Sequence, residues 1–127
     1  MLKVFVNDSN LGGKFYKDIF EYLAEDMNEP LKITAQSEDT IKIIPRGYNL
    51  YLIEYSNIAD LKETEKLRKE QPFSEIHYLF GKRLGTISSK EKNNADGFHF
   101  MVSEIYLKEF IKNSKRKLEA LLKKWRQ

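Results

Sequence analysis

Five short apolar runs constrain this chain more than any other feature: LKVFV (2–6), LKITA (31–35), YNLYLIEY (48–55), IHYLF (76–80) and GFHFMV (97–102). They read as continuous runs rather than as an alternation, the pattern of strands covered on both faces. Between them lie stretches with helical spacing. Phe15, Ile19, Leu23 and Met27 recur every fourth residue ahead of Asn28-Glu29-Pro30. Ile58, Leu61, Thr64 and Leu67 form a second stripe that stops before Gln71-Pro72. In the last segment Leu107, Phe110, Ile111, Ser114, Leu118, Leu121, Leu122 and Trp125 hold one face, with Lys and Arg around the rest. Strand and helix in alternation predict an α/β domain built on a parallel sheet.

At 127 residues the chain is expected to form one domain, and no internal linker, repeat or low-complexity segment divides it. Five strands in this length fit a flavodoxin-like, doubly wound parallel sheet with strand order 2-1-3-4-5. Between the second and third runs there is only QSEDTIKIIPRG, and Pro45 would stop a helix. A shortened second helix of one stunted turn is expected there, or an extended strap. The last helix, running from about Ser103 to Trp125, is roughly 33–35 Å long, more than covering the sheet requires. Residues 114–127 are therefore read as an extension, either a dimerisation segment or a linker. Leu118, Leu121, Leu122 and Trp125 are its candidate interaction face. The alternative is plain packing against the domain.

Composition excludes several classes. With no cysteine there are no disulfides, thiolate nucleophiles or cysteine-based zinc sites. Aromatic content is 13%, too high for a disordered chain. The start, MLKVFVNDSN, lacks both the basic and the long apolar regions of a signal peptide. No apolar run approaches the roughly 20 residues of a membrane span. A cytoplasmic protein without membrane contact is expected. The net charge of +3 is unevenly placed: residues 103–127 hold eight basic and three acidic side chains, leaving the rest mildly acidic. A basic last helix suggests a partner-facing element, and nucleic-acid binding through it is the rival functional reading.

In doubly wound sheets the functional crevice lies beyond the carboxyl ends of the strands, at the switch point between the first and third. Asp8 follows the first run and Glu54 ends the third, so the two acids are expected to face one another there. Burying a charge without a partner costs several kcal/mol. Glu54 must either emerge at the sheet edge or occupy a site built for a carboxylate. Asp8 close by would raise the Glu54 pKa unless a cation lies between them.

Over essentially its whole length the chain resembles the receiver domain of bacterial response regulators. LKVFVNDSN is similar to the first strand and acidic pocket. GYNLYLIEYSN followed by DLKETEKLRKEQPFSEIHYLFG is similar to the phospho-acceptor strand, third helix and fourth strand, including the rhythm of Arg68, Lys69 and Pro72. NNADGFHFMVSEIYLKEFI is similar to the lead into the fifth strand and final helix. KVFVND and the final strand are closest in flavour to receivers that precede LytTR-type DNA-binding domains.

The resemblance implies phosphoryl transfer from a histidine kinase in a two-component phosphorelay. That chemistry needs a nucleophilic aspartate, an acid pair holding Mg²⁺, a Ser or Thr, and a lysine. At those positions this chain has Glu54, Asp8 with Ser9, Phe80 and Met101. One acid, the hydroxyl and the cation are lost, leaving Asp8 and Glu54 to hold Mg²⁺ loosely at best. Losing one electrostatic contact typically costs about 10²–10³ in rate, so losing three is expected to abolish the chemistry. The expected protein is not an enzyme. It is a pseudo-receiver in signal transduction and transcription regulation, acting through a protein partner or homodimer at the fourth helix, fifth strand and last helix of that fold. A DNA-binding effector domain is implied if the natural chain is longer. Glu54 is then either a standing imitation of phospho-aspartate or a relic, solvated at the strand end or paired to Lys82 or Arg83.

His77 and His99 fall on neighbouring strands in this scheme, but zinc wants three or four ligands and no third is evident. They are read as core or edge histidines. Gly12-Gly13 lacks the context of a phosphate loop and is read as loop flexibility. Ser88-Ser89 is read as ordinary polar helix or loop.

Overall fold

The computed structural model describes residues 1–9, 11–80, 89–100 and 104–126. Its sheet is all-parallel and five-stranded, in the order β2-β1-β3-β4-β5, with β1 Leu2–Asn7, β2 Leu31–Gln36, β3 Leu50–Glu54, β4 Glu75–Phe80 and β5 Gly97–Phe100. Register follows from the apolar runs: Val4 lies beside Leu50, Leu50 beside Glu75, and Leu79 beside His99. Each expected strand is present within two residues of its run.

Helices α1 (Gly13–Met27) and α4 (Glu104–Arg126) cover one face of the sheet. Leu2, Val4, Val6, Leu50, Leu52 and Leu79 meet Tyr16, Phe20, Leu23, Phe110, Leu118 and Leu121 in that core. In α1 the deeply buried side chains are Tyr16, Phe20 and Leu23. Of the stripe read from sequence, Phe15, Ile19 and Met27 only pack against the margin. The helix closes at Asn28, whose left-handed φ of 53° lets its N–H and that of Glu29 satisfy the carbonyls of Glu25 and Ala24.

The opposite face holds Phe5, Tyr51, Ile53, Ile76, Tyr78 and Phe80, packed by Leu67 of α2 (Lys62–Glu70). The short α3 (Ser89–Asn94) follows. Arg68 ties this side together, donating to the carbonyls of Ser74 and Asn94 at 2.8 and 3.0 Å and pairing with Asp96.

Two expectations require correction. The first concerns the shortened second helix: residues 37–49 form an extended strap with no helical turn. Ile41 bridges to Ile58 in parallel, and Ile41 and Ile44 sink into the core where a helix would have packed. Arg46 fastens the strap by donating to the Ile44 carbonyl and pairing with Glu63 and Glu70 of α2. Pro45 and two apolar anchors so close together favour extended backbone over a turn of helix. The second concerns the exposed leucine face. Leu118 and Leu121 are buried at 0% and 3% exposure, and Leu122 packs against the same core. At 23 residues, about 34 Å, α4 lies beside α1, with Lys115 pairing Asp26, and Leu118, Leu121 and Leu122 join the core that also holds Leu2 and Leu31.

Candidate functional site

The carboxyl ends of β1 and β3 lie side by side, Asn7 pairing with Ile53, so the next residue of each brings Asp8 towards Glu54. Both acids are buried, at 2% and 6% exposure. Glu54 is therefore not solvated at the strand end. Its Oε2 accepts from the Ser9 N–H, the Ser9 hydroxyl and the Asn57 amide, each at 3.2 Å, and its Oε1 accepts from Ser56 at 3.1 Å. Ser56 and Asn57 are placed by a single 3₁₀ turn, Tyr55–Asn57, that follows β3 directly.

Asp8 is held by the phenol of Tyr16, one turn into α1, which donates to its Oδ2. Asn7 closes the floor, fully buried, exchanging two hydrogen bonds of 3.0 and 2.9 Å with the backbone of Glu38 on the strap. Asn57 reaches the same Glu38 carbonyl at 3.3 Å and the Ser9 hydroxyl at 3.0 Å. Buried polar atoms are thus tied into one network that joins β1, β3, α1 and the strap.

Electrostatics follow from this enclosure. Burial raises the Glu54 carboxyl above the ordinary carboxylate range, and a hydrogen bond with Asp8 and the Asp8 charge push it further. Hydrogen bonds from Ser56 and the Ser9 N–H work the other way. The Tyr16 phenol is raised far above its usual value by burial first, then by the Asp8 charge and hydrogen bond and by Glu54. Burial and the neighbouring carboxylate thus bias Glu54 towards its protonated form. Such a pair is a poor donor set for Mg²⁺, which needs ionised oxygens in near-octahedral array. Among the described residues no three His, Cys, Asp or Glu side chains are grouped to hold a metal ion.

Of the five positions singled out, Asp8, Ser9 and Glu54 come together. Phe80 does not join them. It packs on the other sheet face, its ring 5.5 Å from Tyr55 and 6.2 Å from Phe98, because β4 directs Leu79 to one side and Phe80 to the other. Met101, Lys82 and Arg83 and the side chain of Trp125 lie outside the described residues. Asn7, Tyr16, Ser56 and Asn57 were missed from sequence. Their one signal was position: polar residues closing an apolar run, or within three residues of Glu54.

His77 and His99 are neighbours as expected, Nδ1 to Nε2 at 3.0 Å. Among the described residues no helix is long and apolar enough to cross a membrane. No protein-family model, curated protein or solved structure matches the chain.

Proposed function

We propose that this chain is a receiver-like signalling module that no longer transfers phosphoryl groups and works through protein–protein contact. The single observation that carries the reading is the closed state of Glu54. It stands at the switch point of a 2-1-3-4-5 parallel sheet, where a flavodoxin-like receiver has its nucleophile. Yet its two oxygens accept four hydrogen bonds from Ser9, Ser56 and Asn57, and its carboxyl is biased towards the protonated form. A nucleophile needs a free, ionised oxygen facing an incoming phosphorus. Glu54 is shaped to hold structure instead, linking the end of β3 to Ser9 beyond β1 and to the 3₁₀ turn.

Incubation with acetyl phosphate and Mg²⁺ is the test. The intact mass should stay unchanged, and a gain of one phosphoryl group would overturn the reading. The output surface is assigned to α3, β5 and α4, for a protein partner or a second copy.

One observation favours an anionic partner, protein or nucleic acid. Lys108, Lys112 and Arg116 are exposed at four-residue spacing along α4, a like-charge row that weakens an isolated helix. By contrast Lys115 pairs with Asp26 and Lys117 with Glu75, so two cations of the segment are already engaged internally. The nucleic-acid reading predicts affinity for duplex DNA that falls steeply between 50 and 200 mM salt (about 10³-fold or more for six contacts). No binding at 50 mM salt would remove it.

A further inference from the structure

The most unusual chemistry outside the Asp8–Glu54 site lies beneath α4. His77 of β4 is buried at 3% exposure, and its Nδ1 meets Nε2 of His99 on β5 at 3.0 Å, the rings lying nearly parallel, 20° apart. On its other side, His77 Nε2 faces Glu75 Oε2 at 3.3 Å, both atoms buried and not aligned as a formed hydrogen bond. Lys117 of α4 reaches Glu75 Oε1 at 3.6 Å. The edge of Phe110, also on α4, stands on the His99 ring with centroids 5.2 Å apart. A cavity of about 10 Å³, at the lower limit for one water, separates the histidines from Ser114 and Asn113 of α4. The strand that completes its floor, β3, contributes only Leu50 and Leu52 there.

Among the described residues the charged groups around the pair are therefore Glu75 from β4 and Lys117 from α4, with none from β3. Two ring nitrogens 3.0 Å apart have room for one hydrogen between them. A second proton there would set two N–H groups head to head and place a cation near Lys117. Among the described residues only sheet and helix touch here, so the strain of that second proton falls on the docking of α4. The fold accommodates the pair deliberately at Gly97, where a side-chain carbon would stand 2.6 Å from His77 Nδ1.

We propose that the Glu75–His77–His99 chain is a proton-operated latch that holds α4 against the sheet while the two imidazoles share one hydrogen, and loosens it when His99 takes up a second proton. This does not depend on the receiver reading. It supplies a way to change the exposure of α4 by pH in place of phosphorylation.

The direction of His99 agrees. Burial, then the His77 and Lys117 charges, push it down to about 4 from its ordinary 6.5. With α4 lifted, His99 returns to its ordinary value, so linkage raises the lifted population by about 20–30-fold between pH 7 and pH 5.

Hydrogen exchange of the full chain at those two pH values, corrected for intrinsic rates, tests it. Protection in peptides spanning 110–123 should fall by about that factor while β1 and α1 keep theirs, and His99→Gln should abolish the difference. Unchanged α4 protection, loss in every element together, or a His99→Gln response like that of the native chain would each overturn the latch. Should His99→Gln fail to fold, the imidazole proton resonances of the native chain decide. One histidine titrating well below pH 5 supports the proposal, and two titrating independently near 6.5 sink it.

Discussion

Glu54 carries a different burden from the one its position suggests. An exposed strand-end acid would be indifferent to substitution, whereas this one is enclosed by donors and its pKa is raised by burial and by Asp8. A buried acid with a raised pKa contributes its stability below the unfolded-state value, near 4.5, and loses it as pH rises through the folded-state value. Glu54→Gln keeps the shape and cannot ionise. Its denaturation midpoint should therefore gain on that of the native chain as pH rises from 4.5 to 7, and equal differences at the two values would contradict a raised Glu54 carboxyl. Gly97 is the second residue with a sharp expectation. Gly97→Ala drives a methyl against His77, and forced repacking of this kind typically costs about 1–3 kcal/mol. Thermal unfolding measures it directly.

Among elements, α4 and the strap decide how the sheet is covered. The last three turns of α4 supply Leu118 and Leu121 to the core, so the segment after Asn113 is a wall of the domain and not an appendage. Leu118→Ala should cost about 2–5 kcal/mol, the range for emptying a fully buried leucine. Truncation after Asn113 should lower the unfolding midpoint in denaturant by removing Leu118 and Leu121, while a truncated chain with native-like stability would restore the appendage reading. The strap is held more lightly, by Ile41, Ile44 and the Arg46 pairs with Glu63 and Glu70. Partly exposed ion pairs contribute only about 0.2–1 kcal/mol each. Arg46→Ala should accordingly leave the global midpoint nearly unchanged but speed proteolytic cleavage within 37–49.

For the whole molecule, acid stability is set by groups pulling in opposite directions. His99 is held neutral by the fold and Glu75 is held ionised, chiefly by His77 and also by Lys117, against burial. Both favour folding at higher pH: each loses its contribution as pH falls, His99 from about 6.5 towards 4 and Glu75 below about 4.5. Glu54 acts in the reverse sense. The His99 shift alone corresponds to about 3 kcal/mol across its window. Net stability should thus climb between pH 4 and 6.5, and chemical denaturation at several pH values in that interval would reveal a flat profile if the histidine pair were relaxed and solvated.

The five strands, their parallel pairing and the meeting of Asp8 with Glu54 were legible in the sequence, because continuous apolar runs separated by helical spacing admit few topologies. Periodicity counts apolar residues but not what they touch. It therefore named Phe15 and Ile19 where Tyr16 and Phe20 are the deep ones, and it placed Leu118 and Leu121 outside a core to which α4 in fact contributes them. Only the folded chain could decide that Glu54 is enclosed. Its donors come from Ser9 beyond β1 and from the 3₁₀ turn, and the hydrogen bonds that reach 45 positions back to Ser9 leave no mark on local pattern. The histidine pair has the same origin: two strands chosen for their apolar content put two imidazoles in register, and the helix laid over them settled which protons they can hold.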